Sequence, residues 1–447
     1  MRTESLNAEI AEWRASLSRG GAVVQADADE LENHLRDQVA ELTATGLAED
    51  EAFLVAVKRL GQVDRITAEF AREHSERLWK QLALTHAEEP AGQAFPLRMV
   101  AFAAVAVLLI EVGRLLAGNE RTASWFMRDL GLFLLPVLAA YFVVSRRIPA
   151  KRAALLAVPV VVLAVMLNLY PFHPYGNTEL LVTAHLPVVL WFVVGAAYLG
   201  TELRSSSRRM DFVRFSGEWA IYYVLIALGG GVLVGLTGLV LAPIVPEAPG
   251  AVSSWVLTGG SAGAVVVAAW LVEAKKNVIE NIAPVLTAIF TPLFAVMLLV
   301  SVVVYAAVGI GRDFDRNLLT VFDALLLVVL ALVLYGLSAR DPLRRAGTMD
   351  VVRTAAVVAA LLLDLLVLGS MLVRIGEFGF TANRTAALGL NLLLIVDLAV
   401  TAWLSVRLLL GRSTALSLER WQTAFLPAFG AWAAIVVLVL PPLFRFA

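Results

Sequence analysis

Apolar positions follow two regimes along the chain. Up to residue 95 they recur at helical spacing among charged residues, and from Pro96 onward they merge into long runs. In the first regime Leu6, Ile10, Trp13 and Leu17 fall on one stripe and predict a helix over residues 4–18. A second helix opens near the cap candidates Asp27 and Asp29, carries Leu31, Leu35, Val39 and Leu42, and stops at Gly46. A third runs over residues 49–60, burying Phe53, Ala56, Val57 and Leu60, with Gly61 at its end. Asp64 caps a fourth that holds Ile66, Phe70 and Leu78 and runs toward Leu84. His86 to Gln93, with Pro90 and Gly92, reads as a linker.

The second regime contains eleven apolar runs, centred near residues 107, 135, 161, 190, 231, 262, 298, 327, 362, 397 and 432. A helix of about 20 apolar residues spans the roughly 30 Å of a bilayer's hydrocarbon core. The expected fold class is therefore all-α. A small soluble helical bundle (residues 1–85) and a linker (86–96) precede a transmembrane helical domain over residues 97–447.

Composition strengthens this reading. Hydrophobic residues make up 59% and charged residues 16%, against roughly 45–50% and 25% for soluble domains. Residues 1–90 hold 10 Lys+Arg against 18 Asp+Glu, a net of −8, and the remainder compensates with +7. An acidic preface argues against direct binding of nucleic acid, which needs clustered Lys and Arg. With no cysteine there are no disulfides, thiol nucleophiles or Cys-ligated metals. No cleavable signal peptide is expected, so the first apolar run itself directs insertion.

Loop charges orient the spans. With the preface in the cytoplasm, one set of linkers holds Arg146, Arg147, Lys151, Arg152, Arg204, Arg208, Arg209, Arg214, Lys275, Lys276, Arg340, Arg344, Arg345, Arg412 and Arg420. The opposite set holds Arg121, Arg312, Arg316, Arg374, Arg384 and Arg445. That asymmetry follows the positive-inside rule and places the N-terminus inside and the C-terminus outside.

Ionisable groups at bilayer depth cost at least about 2.5–3.5 kcal/mol and rarely face lipid. Asp364 and Asp397 fall near the middle of the ninth and tenth spans, with Asp323 and Asn391 toward the outer halves of the eighth and tenth. These four are a candidate intramembrane polar site, since burial favours a protonatable carboxyl suited to proton or cation coupling. Structural hydrogen bonding is the competing reading. Glu111 and Arg114, one turn apart in the first span, form a second candidate group with Arg128 and Asp129, expected to neutralise one another.

Gly231-x-x-x-Gly235 in the fifth span has the spacing that lets helix backbones approach, and Gly259 and Gly263 in the sixth offer a complementary face. A broken helix lining a cavity is the sharper alternative. The same faces leave room for a homo-oligomer. Catalytic signals are poor: there is no His-Glu-x-x-His run, Gly-x-Ser-x-Gly elbow or phosphate-binding loop. The five histidines read as solvated or interfacial. No enzyme activity, cofactor or metal site is expected.

The runs Glu30-Leu31-Glu32-Asn33-His34-Leu35-Arg36, Gly46-Leu47, Glu49-Asp50-Glu51-Ala52-Phe53 and Arg59-Leu60-Gly61 resemble the permease-prefix domain of bacteria. Residues 377–389 and 321–341 are similar to segments of bacterial multi-spanning proteins of unassigned function. The resemblance implies a cytoplasmic regulatory module on a permease-like body in the bacterial inner membrane. Such a body moves a small solute or ion. The alternative is a membrane sensor or scaffold that signals to a cytoplasmic protein partner through residues 1–85.

Overall fold

The computed structural model describes residue 10 and residues 25–44, 47–60, 96–241, 248–274, 282–308, 316–340 and 346–446. The chain divides into two compact units, Met1–Phe95 and Pro96–Ala447. All of its described elements are helices.

In the first unit, helices Gln25–Ala44 and Glu49–Leu60 pack around Leu35, Val39, Leu42, Ala52 and Ala56, and Ile10 joins this core. The stripe through Leu35, Val39 and Leu42 is the one the periodicity predicts. Arg36 bridges back one turn to Glu32 at 2.8 Å. Apart from Ile10, the expected helix over 4–18 lies outside the described residues, as do the expected helix from Asp64 and the 86–93 linker.

The second unit has eleven helices long and apolar enough to cross a bilayer, compatible with an integral membrane protein. They are span 1 (Leu97–Leu116), span 2 (Glu120–Ser145), span 3 (Ala150–Leu169), span 4 (Asn177–Leu199), span 5 (Ser206–Leu241) and span 6 (Ala248–Ala274). Then come span 7 (Ile282–Val308), span 8 (Arg316–Ser338), span 9 (Thr348–Phe378), span 10 (Ala382–Leu409) and span 11 (Ala415–Leu438). Consecutive spans alternate in direction. Their linkers fall at a proximal end, where span 1 begins, and a distal end, where it finishes. At the distal end the Asn383 amide donates to Asn177 Oδ1 at 2.9 Å, tying the 9–10 and 3–4 linkers. At the proximal end Ser206 and Thr423 hydroxyls meet at 2.7 Å, joining spans 5 and 11.

Some helix starts satisfy their own free N–H groups. Asn119 and Thr122 exchange side-chain-to-backbone bonds at 3.0 Å to open span 2. The Asp350 carboxylate accepts from Gly347 N–H at 3.0 Å beside span 9.

Two apolar cores lie in this unit. Spans 1–6 share the first, built around Leu138, Phe142, Leu186, Phe215 and Val266, with Val437 added from span 11. Spans 7–10 share the second, around Leu298, Leu326, Leu363 and Leu394. The seam between them is held by two small clusters. Met210, Leu337, Leu408 and Leu418 form one at the proximal end, and Leu181 with Ala386, Val436 and Leu440 form the other at the distal end. Lipid offers no hydrophobic drive for helices to associate, so this close side-chain packing and the polar ties must supply cohesion.

Three expectations change. Span 5 starts at Ser206, so Arg208, Arg209 and Arg214 sit on a helix and not in a loop. Arg209 donates to Leu203 O at 2.6 Å and Thr423 O at 3.1 Å, and Arg214 donates to Ser338 O, while Arg208 pairs with Glu202 at 2.9 Å and Asp211 at 3.3 Å. Span 5 is also continuous through Gly229–Gly238, so the broken-helix alternative does not apply to it. Finally, Gly231 and Gly235 face open space within the chain. Gly259 and Gly263 instead form a hollow for span 1, where an added Cβ would lie 3.1 Å and 3.2 Å from Val107. Gly259 and Gly263 therefore serve the approach of span 1 to span 6, and the glycines of span 5 have no part in that contact.

Candidate functional site

A cavity of about 690 Å³ opens at the distal end of the seam, a size typical of small-molecule sites. One wall is span 4, with Asn177, Leu181 and His185. The other comes from spans 8, 9 and 10, with Asp323, Met371 and Leu390. Arg374 and Arg384 stand at its mouth. Arg384 is anchored there by donating to Phe378 O at 3.1 Å and Gly379 O at 2.8 Å. Phe378 and Phe380 beside it are 65% and 64% exposed, too open to form a lid.

Helical spacing extends two of these walls inward. Asp364, Val367, Met371 and Arg374 follow 3-4-3 spacing on one face of span 9, which puts Asp364 about 15 Å along the axis below Arg374. Asp397 lies seven residues beyond Leu390 on one face of span 10, about 10 Å deeper. Asp364, Asn391 and Asp397 are each 0% exposed, while Asp323 is only partly buried and meets the cavity.

The four candidate polar residues do not form one set. Asn391 donates its amide to Asp323 Oδ1 at 2.9 Å, tying span 10 to span 8. Neither carboxylate oxygen of Asp364 has a hydrogen-bond partner. Asp397 belongs elsewhere: it accepts from Trp421 Nε1 at 2.9 Å and from Gln422 Nε2 at 3.1 Å, both on span 11. Gln422 also donates to Thr401. Asp397 is thus hydrogen-bonded into the packing between spans 10 and 11, whereas Asp364 is buried and unmatched.

The second candidate group also splits. Arg114 binds Glu111 at 2.8 Å, as the one-turn spacing requires, and its guanidinium lies 4.2 Å over the Trp255 ring. Thr258 Oγ1 donates to Glu111 Oε1 at 2.6 Å. These ties hold span 1 to span 6. Arg128 and Asp129 join a different network at the distal end of spans 2, 3 and 4. Arg128 Nε donates to Asp129 Oδ1 at 2.7 Å and its Nη1 lies 3.8 Å from Glu179 Oε1. Asn168 Nδ2 donates to Asp129 at 3.0 Å, while Ser124 Oγ and Tyr175 N–H donate to Glu179. The four residues therefore do not form one cluster, because spans 2 and 4 pack closely and carry Arg128 away from Glu111.

Sequence reasoning missed Glu179, Asn168 and Gln422 as polar partners, and it treated His185 as interfacial. His185 lines the cavity, with Nδ1 2.8 Å from Leu181 O. Glu179 sits in the first turn of span 4, where an acid looks like an ordinary helix-start residue. Among the described residues no group of three His, Cys, Asp or Glu side chains is arranged to hold a metal ion.

The absence of native cysteine makes the opening of this cavity directly testable. Single Ala387→Cys and Leu390→Cys variants, both partly exposed on the cavity wall, are expected to react with a membrane-impermeant maleimide from one side of the membrane only. Leu363→Cys, 1% exposed in the second core, should stay unlabelled. Equal labelling of all three would mean that the cavity is not a defined space.

The comparisons with known proteins find no matching family model, no similar curated protein and no similar solved structure.

Proposed function

We propose that the chain is a permease-like membrane protein that moves a small solute or ion along the seam between its two helical cores. One observation carries this reading: a cavity at the seam has Asp323 on its wall and, deeper on the same helix face as Met371, the unpartnered Asp364. A carboxyl at bilayer depth with no structural partner is costly and marks a pathway by default. Position at a junction of two packed bodies is also where transporters place their sites, because rocking of one body on the other exposes the site alternately. In this reading the bundle lies in a bacterial inner membrane with residues 1–85 as a permease-prefix module on the cytoplasmic side. The loop charges and the quoted prefix runs support both assignments.

Uptake into proteoliposomes tests the proposal. A panel of labelled amino acids, sugars, nucleosides and organic acids is offered under an imposed sodium or proton gradient. Accumulation of at least one solute is expected, and Asp364→Asn should abolish its gradient dependence while the detergent-purified variant elutes as the parent does. No accumulation under any gradient overturns transport, and unchanged flux in Asp364→Asn removes the carboxylate from the path.

The acidic charge of residues 1–90 favours a second reading, in which the cavity senses a lipophilic compound and the preface passes its state to a cytoplasmic protein. That reading gains if the panel fails while a hydrophobic ligand raises the melting temperature and Leu390→Trp, which fills the cavity, cancels the rise.

A further inference from the structure

The residues that line the distal cavity are polar at two levels, with Leu181 and Ala387 on the stretch between them. Spans 4 and 10 both run inward from the distal end, where Asn383 donates to Asn177 at 2.9 Å and sets a common level. His185 follows Asn177 by eight residues, and Asn391 follows Asn383 by eight, so each lies about 12 Å deeper. The Asn391 amide donates to Asp323 at 2.9 Å, which places the Asp323 carboxylate at this lower level too.

The upper level offers donors. Arg384 is pinned through Nη1 alone, to Phe378 O at 3.1 Å and Gly379 O at 2.8 Å, and among the described residues its Nη2 and Nε have no partner. Arg374 puts a second guanidinium on the cavity wall. The lower level offers acceptors. Asp323 is the one acid among the lining residues, and its Oδ2 has no partner among the described residues. His185 Nδ1 lies 2.8 Å from Leu181 O, which can only accept, so Nδ1 holds the hydrogen and Nε2 of the neutral ring accepts.

This polarity selects a ligand with unlike ends. A guanidinium fork matches a carboxylate, and an ammonium with three N–H donors matches a carboxylate and an imidazole nitrogen together. Arg384 precedes Asn391 by seven residues, which separates the two levels by about 10 Å along span 10. An extended chain covers roughly 3.3–3.6 Å per residue, so about three residues reach from one level to the other and a single amino acid does not. We propose that the cavity binds a linear zwitterion of tripeptide length, with its carboxylate at Arg384 and its ammonium at Asp323 and His185. As the solute of a permease this ligand rests on the function proposed above, but its binding is measured without transport.

Purified full-length protein in detergent is titrated with trialanine and its melting temperature is followed. A saturable rise is expected, since a ligand that binds only the folded state stabilises it by mass action. N-acetyl-trialanine, which lacks the ammonium, and trialanine amide, which lacks the carboxylate, should each bind at least about tenfold more weakly. Alanine should give no rise. In Asp323→Asn the free and N-acetylated peptides should bind alike, and in Arg384→Gln the free and amidated peptides should bind alike. The capped peptides on the wild-type protein decide the matter should a variant fail to fold. No rise with trialanine, or an equal rise with alanine or with either capped form, overturns the site. An 8-aminooctanoate arm separates the sources of the shared chemistry: binding equal to trialanine supports the site with ω-amino acids as its ligands, and weaker binding supports it with peptides. Trialanine binding without uptake into proteoliposomes leaves the site standing and removes the transport reading, and uptake of another solute without trialanine binding does the reverse.

Discussion

Arg128→Leu is expected to be among the most damaging substitutions in the membrane unit, costing about 3–5 kcal/mol of stability. Arg128 is 5% exposed, and Asp129 and Glu179 beside it are 3% and 4% exposed. Among the described residues Arg128 alone pairs with both carboxylates. Removing it leaves two buried negative charges facing each other's surroundings, with only neutral donors from Asn168, Ser124 and the Tyr175 backbone. The penalty therefore comes from the charges left behind more than from the loss of an attraction. A variant that also carries Asp129→Asn and Glu179→Gln should recover most of the loss, because a fully neutral group has no stranded charge. Arg128→Lys should recover only part of it, since a single ammonium does not reproduce the planar fork that addresses Asp129 and Glu179 together. Thermal melting of detergent-solubilised protein checks this, and a melting curve for Arg128→Leu that overlays the parent's would contradict it.

Gly389→Ala should be costly for a different reason. A Cβ at Gly389 would stand 1.8 Å from Trp432 Cζ2 and 2.2 Å from Cε2, so spans 10 and 11 meet there through an indole face laid on bare backbone. The ring has little freedom to retreat, because its Nε1 donates to Ala386 O at 3.1 Å. Overpacking of this kind costs typically about 1–3 kcal/mol. Loss of the indole hydrogen bond adds about 0.5–1.5 kcal/mol. Trp432→Leu combined with Gly389→Ala should then be more stable than Gly389→Ala alone, a coupling that a double-mutant cycle measures. Strict additivity of the two changes would show that the ring and the glycine do not touch in the folded protein.

Much of the architecture was legible in the chain, because about twenty apolar residues in a row have few other destinations. All eleven spans appear where the runs predict them. The third helix of the preface falls on Glu49–Leu60, as its stripe and Gly61 indicate. The start of span 5 was not legible, since Arg208, Arg209 and Arg214 read as loop charges until the carbonyls of Leu203, Thr423 and Ser338 are seen to accept hydrogen bonds from Arg209 and Arg214, and Glu202 and Asp211 to pair with Arg208.

The candidate site was legible residue by residue but not as a set. Spacing shows that Asp364 and Arg374 share a face, and says nothing of which helix that face meets. That is why Asp397, equally central in its own span, turned out to belong to Trp421 and Gln422 on span 11. The same limit separated Glu111 from Arg128 and sent Gly259 to span 1. Neighbour identity is a property of the packed bundle, and adjacent positions in sequence order do not determine it.

The division into two cores has a bearing on biosynthesis. Spans 1–6 contain nearly all the members of the first core, so those residues can pack while the second half is still on the ribosome, and spans 7–10 can then close theirs. Span 11 is made after these ten, yet it supplies Val437 to the first core, Leu418 and Val436 to the two clusters of the seam, and the Trp421 and Gln422 donors that hold Asp397. A nascent chain with ten spans inserted already has ties across the join, such as Asn383 to Asn177 and Arg214 to Ser338, but Asp397 is still without its donors. The eleventh helix adds the contacts that complete the join.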